Sequence, residues 1–305
     1  MDLGIEGKVA LVTGGSRGLG KQAAMSLAKE GVHVVICART ESTLYETVDH
    51  IRKMGGHISG FVADISQTDE RQKLYESVIE QNGNIDILVN NAGGSVRGDI
   101  VSTTDQQWKD LLDLNLISAI EMSRLVIPEM KEKEWGRIIN VGSVIGLRGQ
   151  KGQANYAAAK EGMVGFTRAI SKELEPYNIM VNAVYPGGST RMTDTVPQST
   201  TELRVQQRAT AGLAPQVDRS VLPPESGDPA NNAPKVVFLS SEAADGITGQ
   251  VIGTSGWALS LYSPRRVIKS IHKEGRWTLD ELEQQIPSSL GNGLVNPAPE
   301  EAPRS

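Results

Sequence analysis

Short apolar runs rich in β-branched residues recur along the first 256 residues and alternate with segments whose apolar positions repeat every three or four residues. The short runs lie at 8–13, 33–38, 58–64, 85–93, 137–143, 179–187 and 249–256. The segments with the helical repeat lie at 20–31, 69–83, 105–133 and 156–177. Continuous apolar runs are typical of strands buried on both faces. Their alternation with helices predicts an α/β fold, a doubly wound parallel sheet of about seven strands with helices on both faces.

The regular alternation is interrupted once and stops before the C terminus. Residues 188–234 are rich in Pro, Ser, Thr and Gln, and an irregular insertion of that length is typical of a substrate lid or a disordered loop. We therefore expect one domain over 1–256 and a C-terminal extension over 257–305. Within the extension, Thr278 begins a short helix as its N-cap, and the last dozen residues have the composition of a disordered tail.

Composition narrows the classes of partner. The formal net charge is -5 and the chain has no long run of Lys or Arg, which argues against binding to nucleic acid or to an anionic membrane. The only cysteine, Cys37, lies in an apolar run and is expected to be a buried small hydrophobe. No apolar run approaches the ~20 residues of a membrane span, and the four histidines have no metal-ligand spacing. We expect a soluble cytoplasmic protein without a metal site.

A glycine-rich turn follows the first predicted strand and opens the first predicted helix. Residues 11–24 read LVTGGSRGLGKQAA, with Gly14, Gly18 and Gly20 in a GxxxGxG spacing. Glycines in this context allow a tight turn, close approach of the backbone to a pyrophosphate, and close packing of helix on strand. The helix N-terminus adds oriented N–H groups for the phosphates. The turn predicts a dinucleotide site.

The end of the second predicted strand indicates which dinucleotide is preferred. A carboxylate commonly stands there to accept hydrogen bonds from the ribose hydroxyls of NAD, but this chain has Ala38 and Arg39. A guanidinium suits the additional phosphate of NADP, and Arg17 in the glycine turn offers a second cation. The sequence favours NADP(H). The alternative is NAD(H), with Arg39 in solvent and the nearby Glu41 turned inward.

A tyrosine and a lysine stand one helical turn apart in the stretch QANYAAAKEG at 153–162. Residues four apart share one face of a helix with Cβ atoms ~5–6 Å apart, so Tyr156 and Lys160 can address one bound molecule. A nearby fixed cation is expected to lower the phenol pKa from its ordinary value of about 10 toward the working pH. Taken alone, such a pair is more often an exposed feature of an amphipathic helix. The glycine turn, and Ser143 thirteen residues before the tyrosine, favour a catalytic pair.

These motifs together resemble those of the classical short-chain dehydrogenase/reductase family over roughly 1–256. The resemblance rests on TGGSRGLG at 13–20, DIS at 64–66, NNAG at 90–93, Asn115, Ser143, YAAAK at 156–160 and PG at 186–187. It implies a single Rossmann-type domain in which Tyr156 is the acid/base and Ser143 hydrogen-bonds the reacting oxygen. It also implies that Lys160 holds the nicotinamide ribose and that Asn115 anchors a proton relay. The cofactor residues that it implies are Gly14, Ser16, Arg17, Gly18, Leu19, Gly20, Arg39, Asp64, Ile65, Asn91, Ala92, Gly93, Tyr156, Lys160, Pro186, Gly187 and Thr190.

Within the family, residues 152–160 and 188–197 resemble the 3-hydroxyacyl-CoA dehydrogenase units of multifunctional β-oxidation enzymes. Much of the remaining chain resembles 3-oxoacyl thioester reductases of fatty-acid synthesis. Both resemblances imply a 3-oxoacyl or 3-hydroxyacyl thioester as substrate. Acidic residues are interspersed with lysines before the strands at 137 and 179, which favours a free CoA ester or a smaller ketone over an acidic carrier protein.

Two alternatives to this function remain open. One is an NAD-dependent dehydrogenase of another ketone or alcohol, and the other is a non-catalytic, cofactor-sensing binding protein. The resemblance also implies a homotetramer that packs through the helices at 105–133 and 156–177. The apolar stripes of those helices fit burial either against a partner subunit or in the protein's own core.

Overall fold

The computed structural model describes residues 2–187, 224–265 and 267–293 of the chain. They form one eight-stranded sheet with the strand order β3-β2-β1-β4-β5-β6-β7-β8. The strands are β1 Val9–Thr13, β2 His33–Ala38, β3 Ile58–Val62, β4 Ile87–Asn90, β5 Gly136–Val141, β6 Ile179–Tyr185, β7 Val251–Ser255 and β8 Ala258–Tyr262. The first seven strands pair in parallel throughout, which confirms the predicted α/β fold and its seven strands.

The eighth strand was not predicted. It follows β7 after a tight turn at Gly256 and Trp257 and pairs antiparallel with β7. The sequence of β8, ALSLY, is short and has no β-branched residue, unlike the β-branched runs that predicted β1 to β7. One face of β8 packs on the sheet, since the rings of Tyr262 and Tyr185 meet edge to face with centroids 4.9 Å apart.

The helices lie between the strands, as the repeat of apolar positions predicts. Those of eight or more residues are α1 Gly18–Lys29, α2 Glu41–Lys53, α3 Thr68–Asn82, α4 Asp105–Leu112, α5 Ser118–Glu132, α7 Ala154–Leu174 and α9 Leu279–Ser288. The shorter ones are α6 Val144–Arg148 and α8 Ala233–Leu239. A π-helical segment, Asp113–Ile117, joins α4 to α5, so the predicted helix over 105–133 is one continuous element with a local bulge. In the described residues, no helix is both long and apolar enough to cross a membrane.

The core is two apolar layers, one on each face of the sheet. Successive residues of β1 separate between them: Ala10 and Val12 pack in the layer that contains α1, whereas Val9 and Leu11 pack in the layer that contains α5. Cys37 belongs to the second layer and is almost fully buried, as expected. Burial raises the pKa of its thiol to about 12, so this cysteine is an inert packing residue.

Strand order decides where the polar motifs meet. In the sheet, β1, β4, β5 and β6 are consecutive neighbours and all run in the same direction. The residues that directly follow them are therefore adjacent at the carboxyl edge. This is the edge where doubly wound sheets bind their ligands, at the place where the strand order reverses. The glycine turn, NNAG, Ser143 and the PG dipeptide all follow one of these four strands.

The described residues fall into two compact units. Residues 2–187 and 224–262 form one compact unit, and residues 263–265 and 267–293 belong to a second. In the second unit, α9 begins at Thr278 as predicted. Its hydroxyl accepts from the N–H of Glu281 at 3.3 Å, and the Glu281 carboxylate accepts from the N–H of Thr278 at 2.7 Å, a capping box. Most of the predicted lid, residues 188–223, and Thr190 with it, lie outside the described residues.

Candidate active site

The phenol of Tyr156 faces the side chain of Ser143. Ser143 follows β5 and caps the first turn of α6, where its Oγ accepts from the N–H of Ile145 at 3.2 Å. Tyr156 lies in the first turn of α7 and is only 6% exposed. Burial raises the pKa of the Tyr156 phenol above its ordinary value, and a hydrogen bond to Ser143 offsets part of that increase. The structure therefore places the two groups next to each other, and burial favours the protonated phenol.

Lys160 lies one turn further along α7, and its ammonium is inside the protein. Nζ donates to the carbonyl oxygen of Val141, the last residue of β5, at 2.8 Å. It lies 5.8 Å from the centroid of the Tyr156 ring. Because the side chain is removed from water, the pKa of Lys160 falls to about 8. Burial of Tyr156 is the largest influence on the phenol pKa here, and it opposes the lowering expected from Lys160.

Asn115 joins the π-helical segment to the turn after β4. Its Nδ2 donates to the carbonyl oxygens of Gly94 and Leu111, both at 3.0 Å, and its Oδ1 accepts from the N–H of Gly94 at 3.2 Å. A Cβ on Gly93 would lie 2.7 Å from Oδ1 of Asn115 and 3.4 Å from Nζ of Lys160. Only glycine therefore fits at 93 without displacing these two side chains. The structure brings Asn115 and Lys160 close to the same backbone position.

The glycine turn is tightly packed against its own helix. A Cβ on Gly20 would lie 2.4 Å from the carbonyl oxygen of Gly14, a backbone atom that has no room to move aside. Gly14 itself has a φ of +64°. Helix α1 starts at Gly18 with Arg17 at the N-cap, whose side chain does not accept from the helix. The first N–H groups of α1 therefore have no side-chain cap.

A threonine that sequence analysis missed ties the glycine turn to NNAG. The hydroxyl of Thr13, at the end of β1, accepts from the N–H groups of Asn91 at 3.0 Å and Ala92 at 3.1 Å. In return, Nδ2 of Asn91 donates to the carbonyl oxygens of Thr13 at 2.9 Å and Gly14 at 3.1 Å. These four bonds set the distance between the two turns. The signal was present, because Thr13 begins the motif TGGSRGLG.

Arg39 and Asp64 meet at the ends of β2 and β3. Nη1 of Arg39 lies 3.7 Å from Oδ2 of Asp64, and the Arg39 side chain is 67% exposed. Glu41, the acidic residue that would favour NAD, is exposed at the first position of α2. Ile65, next to Asp64, is buried in the core. The first charged side chain after β2 is thus an exposed guanidinium, that of Arg39.

The PG dipeptide after β6 is held by two further residues that sequence analysis missed. Asn232 hydrogen-bonds both the N–H and the carbonyl oxygen of Gly187, and Lys235 in α8 in turn donates to Asn232. Both residues lie in DPANNAPKVVFL, at the end of the predicted lid and in the helix after it. A lysine in an otherwise apolar helical repeat was the only signal in the sequence.

Residues 8–202 of the chain match the short chain dehydrogenase family. The chain belongs to this family. As a short-chain dehydrogenase it is an NAD(P)-dependent oxidoreductase that acts on carbonyl and CH–OH groups. These matches confirm the family resemblance and the predicted enzyme class.

Relatives of this short-chain dehydrogenase cover most of its length. It is 37% identical over 254 residues to the 3-oxoacyl-[acyl-carrier-protein] reductase FabG of Vibrio cholerae, covering 83% of this chain and 98% of the relative. It is 36% identical over 254 residues to FabG of Escherichia coli strain K12, with the same coverage. Its structure is similar to that of a short chain dehydrogenase from Mycobacterium avium, with a TM-score of 0.79 and 27% identity, covering 94% of this chain and 96% of the other.

The short-chain dehydrogenase fold gathers most of the predicted site residues at one edge of the sheet. The gathered positions follow β1, β4, β5 and β6 or lie on α7 and the π-helical segment: Gly14, Ser16, Arg17, Gly18, Leu19, Gly20, Asn91, Ala92, Gly93, Asn115, Ser143, Tyr156, Lys160, Pro186 and Gly187. Arg39, Asp64 and Ile65 follow the adjacent strands β2 and β3 at the same edge. The described residues contain no cluster of three or more histidine, cysteine or acidic side chains suited to a metal ion.

Proposed function

We propose that this short-chain dehydrogenase is an NADP(H)-dependent oxidoreductase that interconverts a 3-oxoacyl thioester and the corresponding 3-hydroxyacyl thioester. The observation that carries the proposal is the contact between Tyr156 and Ser143 beside the buried ammonium of Lys160. A phenol, a hydroxyl and a fixed cation are the groups needed to move one proton to or from a reacting oxygen. They stand at the edge of the sheet where the glycine turn also lies.

The residues at this edge fit a dinucleotide. In the turn from Gly14 to Gly20, a Cβ on Gly20 would collide with the backbone of the turn itself. A Cβ on Gly18 would meet no atom within 4 Å. The open side of the turn, together with the uncapped N–H groups of α1, suits a pyrophosphate. We assign the diphosphate to this turn, the adenine side to Asp64 and Ile65, and the nicotinamide side to Pro186, Gly187 and Thr190.

The side chains of the protein then transfer one proton to or from the substrate. When bound, the nicotinamide supplies or accepts the hydride. During reduction, Tyr156 donates its phenolic proton to the carbonyl oxygen as that oxygen becomes a hydroxyl, and Ser143 hydrogen-bonds the same oxygen. In oxidation the phenolate takes the proton back. The positive charge on Lys160 favours the phenolate that forms after donation, and Asn115 anchors the path by which the proton is replaced.

The preference for NADP(H) rests on Arg39. Its guanidinium is exposed, it is oriented by Asp64, and no carboxylate takes the place at which an NAD ribose would find an acceptor. A planar guanidinium forms two parallel hydrogen bonds to a phosphate. A lysine ammonium cannot form this planar pair, and a ribose hydroxyl is a poorer acceptor for it than a phosphate. NAD(H) remains the weaker cofactor in this proposal.

The substrate class rests on the relatives. Three 3-oxoacyl-[acyl-carrier-protein] reductases each match 83% of the chain. We propose the same reaction here, with a CoA ester favoured over the carrier protein because acidic residues precede β5 and β6. The enzyme then works in the cytoplasm as a homotetramer that packs through α4, α5 and α7. Light scattering in solution tests the assembly, since a monomer mass would refute it.

The experiment for the reaction is a titration followed by turnover. Purified protein is titrated with NADPH and NADH by fluorescence, and acetoacetyl-CoA, other 3-oxoacyl thioesters and simple cyclic ketones are then added while cofactor oxidation is followed. NADPH preference with thioester turnover supports the proposal. Turnover of ketones alone would keep the mechanism and replace the substrate class, whereas cofactor binding without any turnover would favour the non-catalytic alternative.

A further inference from the structure

Lys235 is a buried cation without a charged partner among its hydrogen-bond acceptors. It lies in α8, and its side chain is 4% exposed. Nζ donates to the carbonyl oxygen of Tyr185 at 3.2 Å, to Oδ1 of Asn232 at 3.1 Å, and to Oγ1 of Thr254. All three ammonium protons are used, and all three acceptors are neutral. Burial lowers the pKa of Lys235 to about 8, which reflects how unfavourable this position is for a charge.

Asn232 connects Lys235 to the peptide of Gly187 by hydrogen bonds. Its Nδ2 donates to the carbonyl oxygen of Gly187 at 2.6 Å, and its Oδ1 accepts from the N–H of Gly187 at 3.1 Å. The same Oδ1 accepts from Lys235, and Nδ2 also donates to the carbonyl oxygen of Pro229 at 3.1 Å, so both contacts favour this orientation of the amide. With the amide thus oriented, Asn232 matches the donor and the acceptor of Gly187. The reverse orientation would place the amide nitrogen against two donors.

A packing role alone does not require these residue types. Apolar side chains of similar volume usually fill such a place at equal or lower free energy than a buried charge. Lys235 and Asn232 stand instead between β6, β7 and α8, and they converge on the first glycine beyond the carboxyl end of β6. That glycine lies at the same edge as Ser143, because β5 and β6 are neighbours. The buried polar pair therefore controls backbone at the site.

We propose that Lys235 is a positioning residue for the dinucleotide, acting through Asn232 to hold the Gly187 peptide in the orientation that receives the nicotinamide side of the cofactor. This inference rests on the proposed function, which assigns Pro186 and Gly187 to that side. In this arrangement, loss of Asn232 removes both hydrogen bonds that hold the Gly187 peptide, and loss of Lys235 removes a donor that orients the Asn232 amide. Cofactor affinity then falls because the peptide must be ordered again on binding.

The test separates positioning from packing with three variants. Lys235→Met removes the donors while keeping an unbranched chain, Asn232→Leu removes the amide, and the double variant replaces the polar pair with an apolar one. Dissociation constants for NADPH are measured by fluorescence, and melting temperatures by circular dichroism. We expect each single variant to weaken NADPH binding at least tenfold. The double variant is expected to regain melting temperature relative to Lys235→Met but to keep the tenfold loss of affinity.

A matched control is Val236→Ala, which opens a cavity under the same helix without touching Asn232 or Lys235. It is expected to lower the melting temperature and leave the dissociation constant within twofold of wild type. A double variant that binds NADPH as tightly as wild type would overturn the proposal, because a packing role is restored by apolar replacement and a positioning role is not. Failure of the proposed function would give a different result, because the wild-type protein would then bind neither NADPH nor NADH.

Discussion

The ammonium of Lys160 donates to the carbonyl oxygen of Val141 at 2.8 Å and thereby ties α7 to the carboxyl end of β5. Val141 is two residues before Ser143, and Lys160 is one helical turn after Tyr156. One hydrogen bond thus fixes the distance between the strand that carries the serine and the helix that carries the tyrosine. Lys160 has a structural part in the site as well as the electrostatic one proposed for it.

Replacing Tyr156 with Phe is expected to remove turnover and spare cofactor binding. The ring stays in place, but the proton donor and its contact with Ser143 are lost. General acid–base catalysis contributes about 10²–10⁴-fold, so kcat should fall by that factor while the dissociation constant for NADPH stays within about twofold. Tyr177→Phe, at the exposed end beyond α7, is the control and should match wild type. A Tyr156→Phe variant that retains turnover would refute the assigned acid/base role.

Replacing Lys160 with Met is expected to change how stability depends on pH. The pKa of Lys160 is about 8 in the folded protein, below the ordinary 10.5, so from about pH 8 to about 10.5 the unfolded chain binds a proton that the folded one has released. Lys160 therefore makes the free energy of unfolding rise with pH in that window.

Urea unfolding of wild type and Lys160→Met at about pH 8 and about pH 9.5 measures the pH-dependent contribution of Lys160 to the free energy of unfolding. The wild type should gain roughly 1–2 kcal/mol relative to the variant between the two pH values. Taking the difference cancels other groups that titrate in both proteins, including Lys235. Parallel pH profiles would show that Lys160 is protonated well above pH 8 and that its desolvation is smaller than burial indicates.

Replacing Arg39 with Asp is expected to exchange the cofactor preference. The variant removes the guanidinium proposed to bind the additional phosphate and supplies an acceptor for ribose hydroxyls. A hydrogen bond to a charged group contributes about 1.5–3 kcal/mol, so NADPH affinity should fall about 10–100-fold while NADH affinity rises. Lys53→Asp makes the same charge change at the exposed C-terminal end of α2 and should leave both affinities unchanged. An unaltered ratio in Arg39→Asp would favour the NAD alternative.

Adding a methyl group at Gly20 is expected to disrupt the glycine turn. The new Cβ would lie 2.4 Å from the Gly14 carbonyl oxygen and 2.5 Å from Nδ2 of Asn91, so the turn must open. Gly20→Ala should lose about 1–3 kcal/mol of stability and most cofactor affinity. Gly165→Ala, in α7 with no atom within 4 Å of the new Cβ, should instead gain about 0.5–1 kcal/mol from helix propensity. Urea unfolding and NADPH titration check both; equal stability of the two variants would contradict the packing described for the turn.

The parts of the fold that follow from local pattern could be predicted from the sequence. Strands β1 to β7 coincide with short runs that contain β-branched residues, and α9 begins at a capping residue with an acidic first turn, so both follow from the chain alone. The positions of Tyr156 and Lys160 on one helix face follow from helical periodicity. Their link to Ser143 depended on family resemblance, because thirteen residues of sequence do not determine a distance in space.

The parts that depend on tertiary contacts could not be predicted. The π-helical segment that carries Asn115 has an ordinary helical sequence, and its register depends on the contact with Gly94. From the sequence alone, Asn232 and Lys235 would be interpreted as polar surface residues. Only the packing of β6 and β7 around them shows that they are buried. The phenol pKa also depends on burial, which no spacing reveals and which opposes the lowering expected from the nearby cation.

The wall behind the site contains a short chain of polar side chains. Nδ2 of Asn90 donates to Oδ1 of Asn140 at 2.9 Å, and Nδ2 of Asn140 donates to Oγ1 of Thr167 in α7 at 2.9 Å. Asn90 and Asn140 are register partners of β4 and β5, so a slip by one residue would turn both amides away from each other. The alignment of the NNAG turn, Ser143 and α7 is thus locked from within. Mutagenesis aimed at new substrates should therefore leave these three buried residues unchanged, because they align the elements that carry the site.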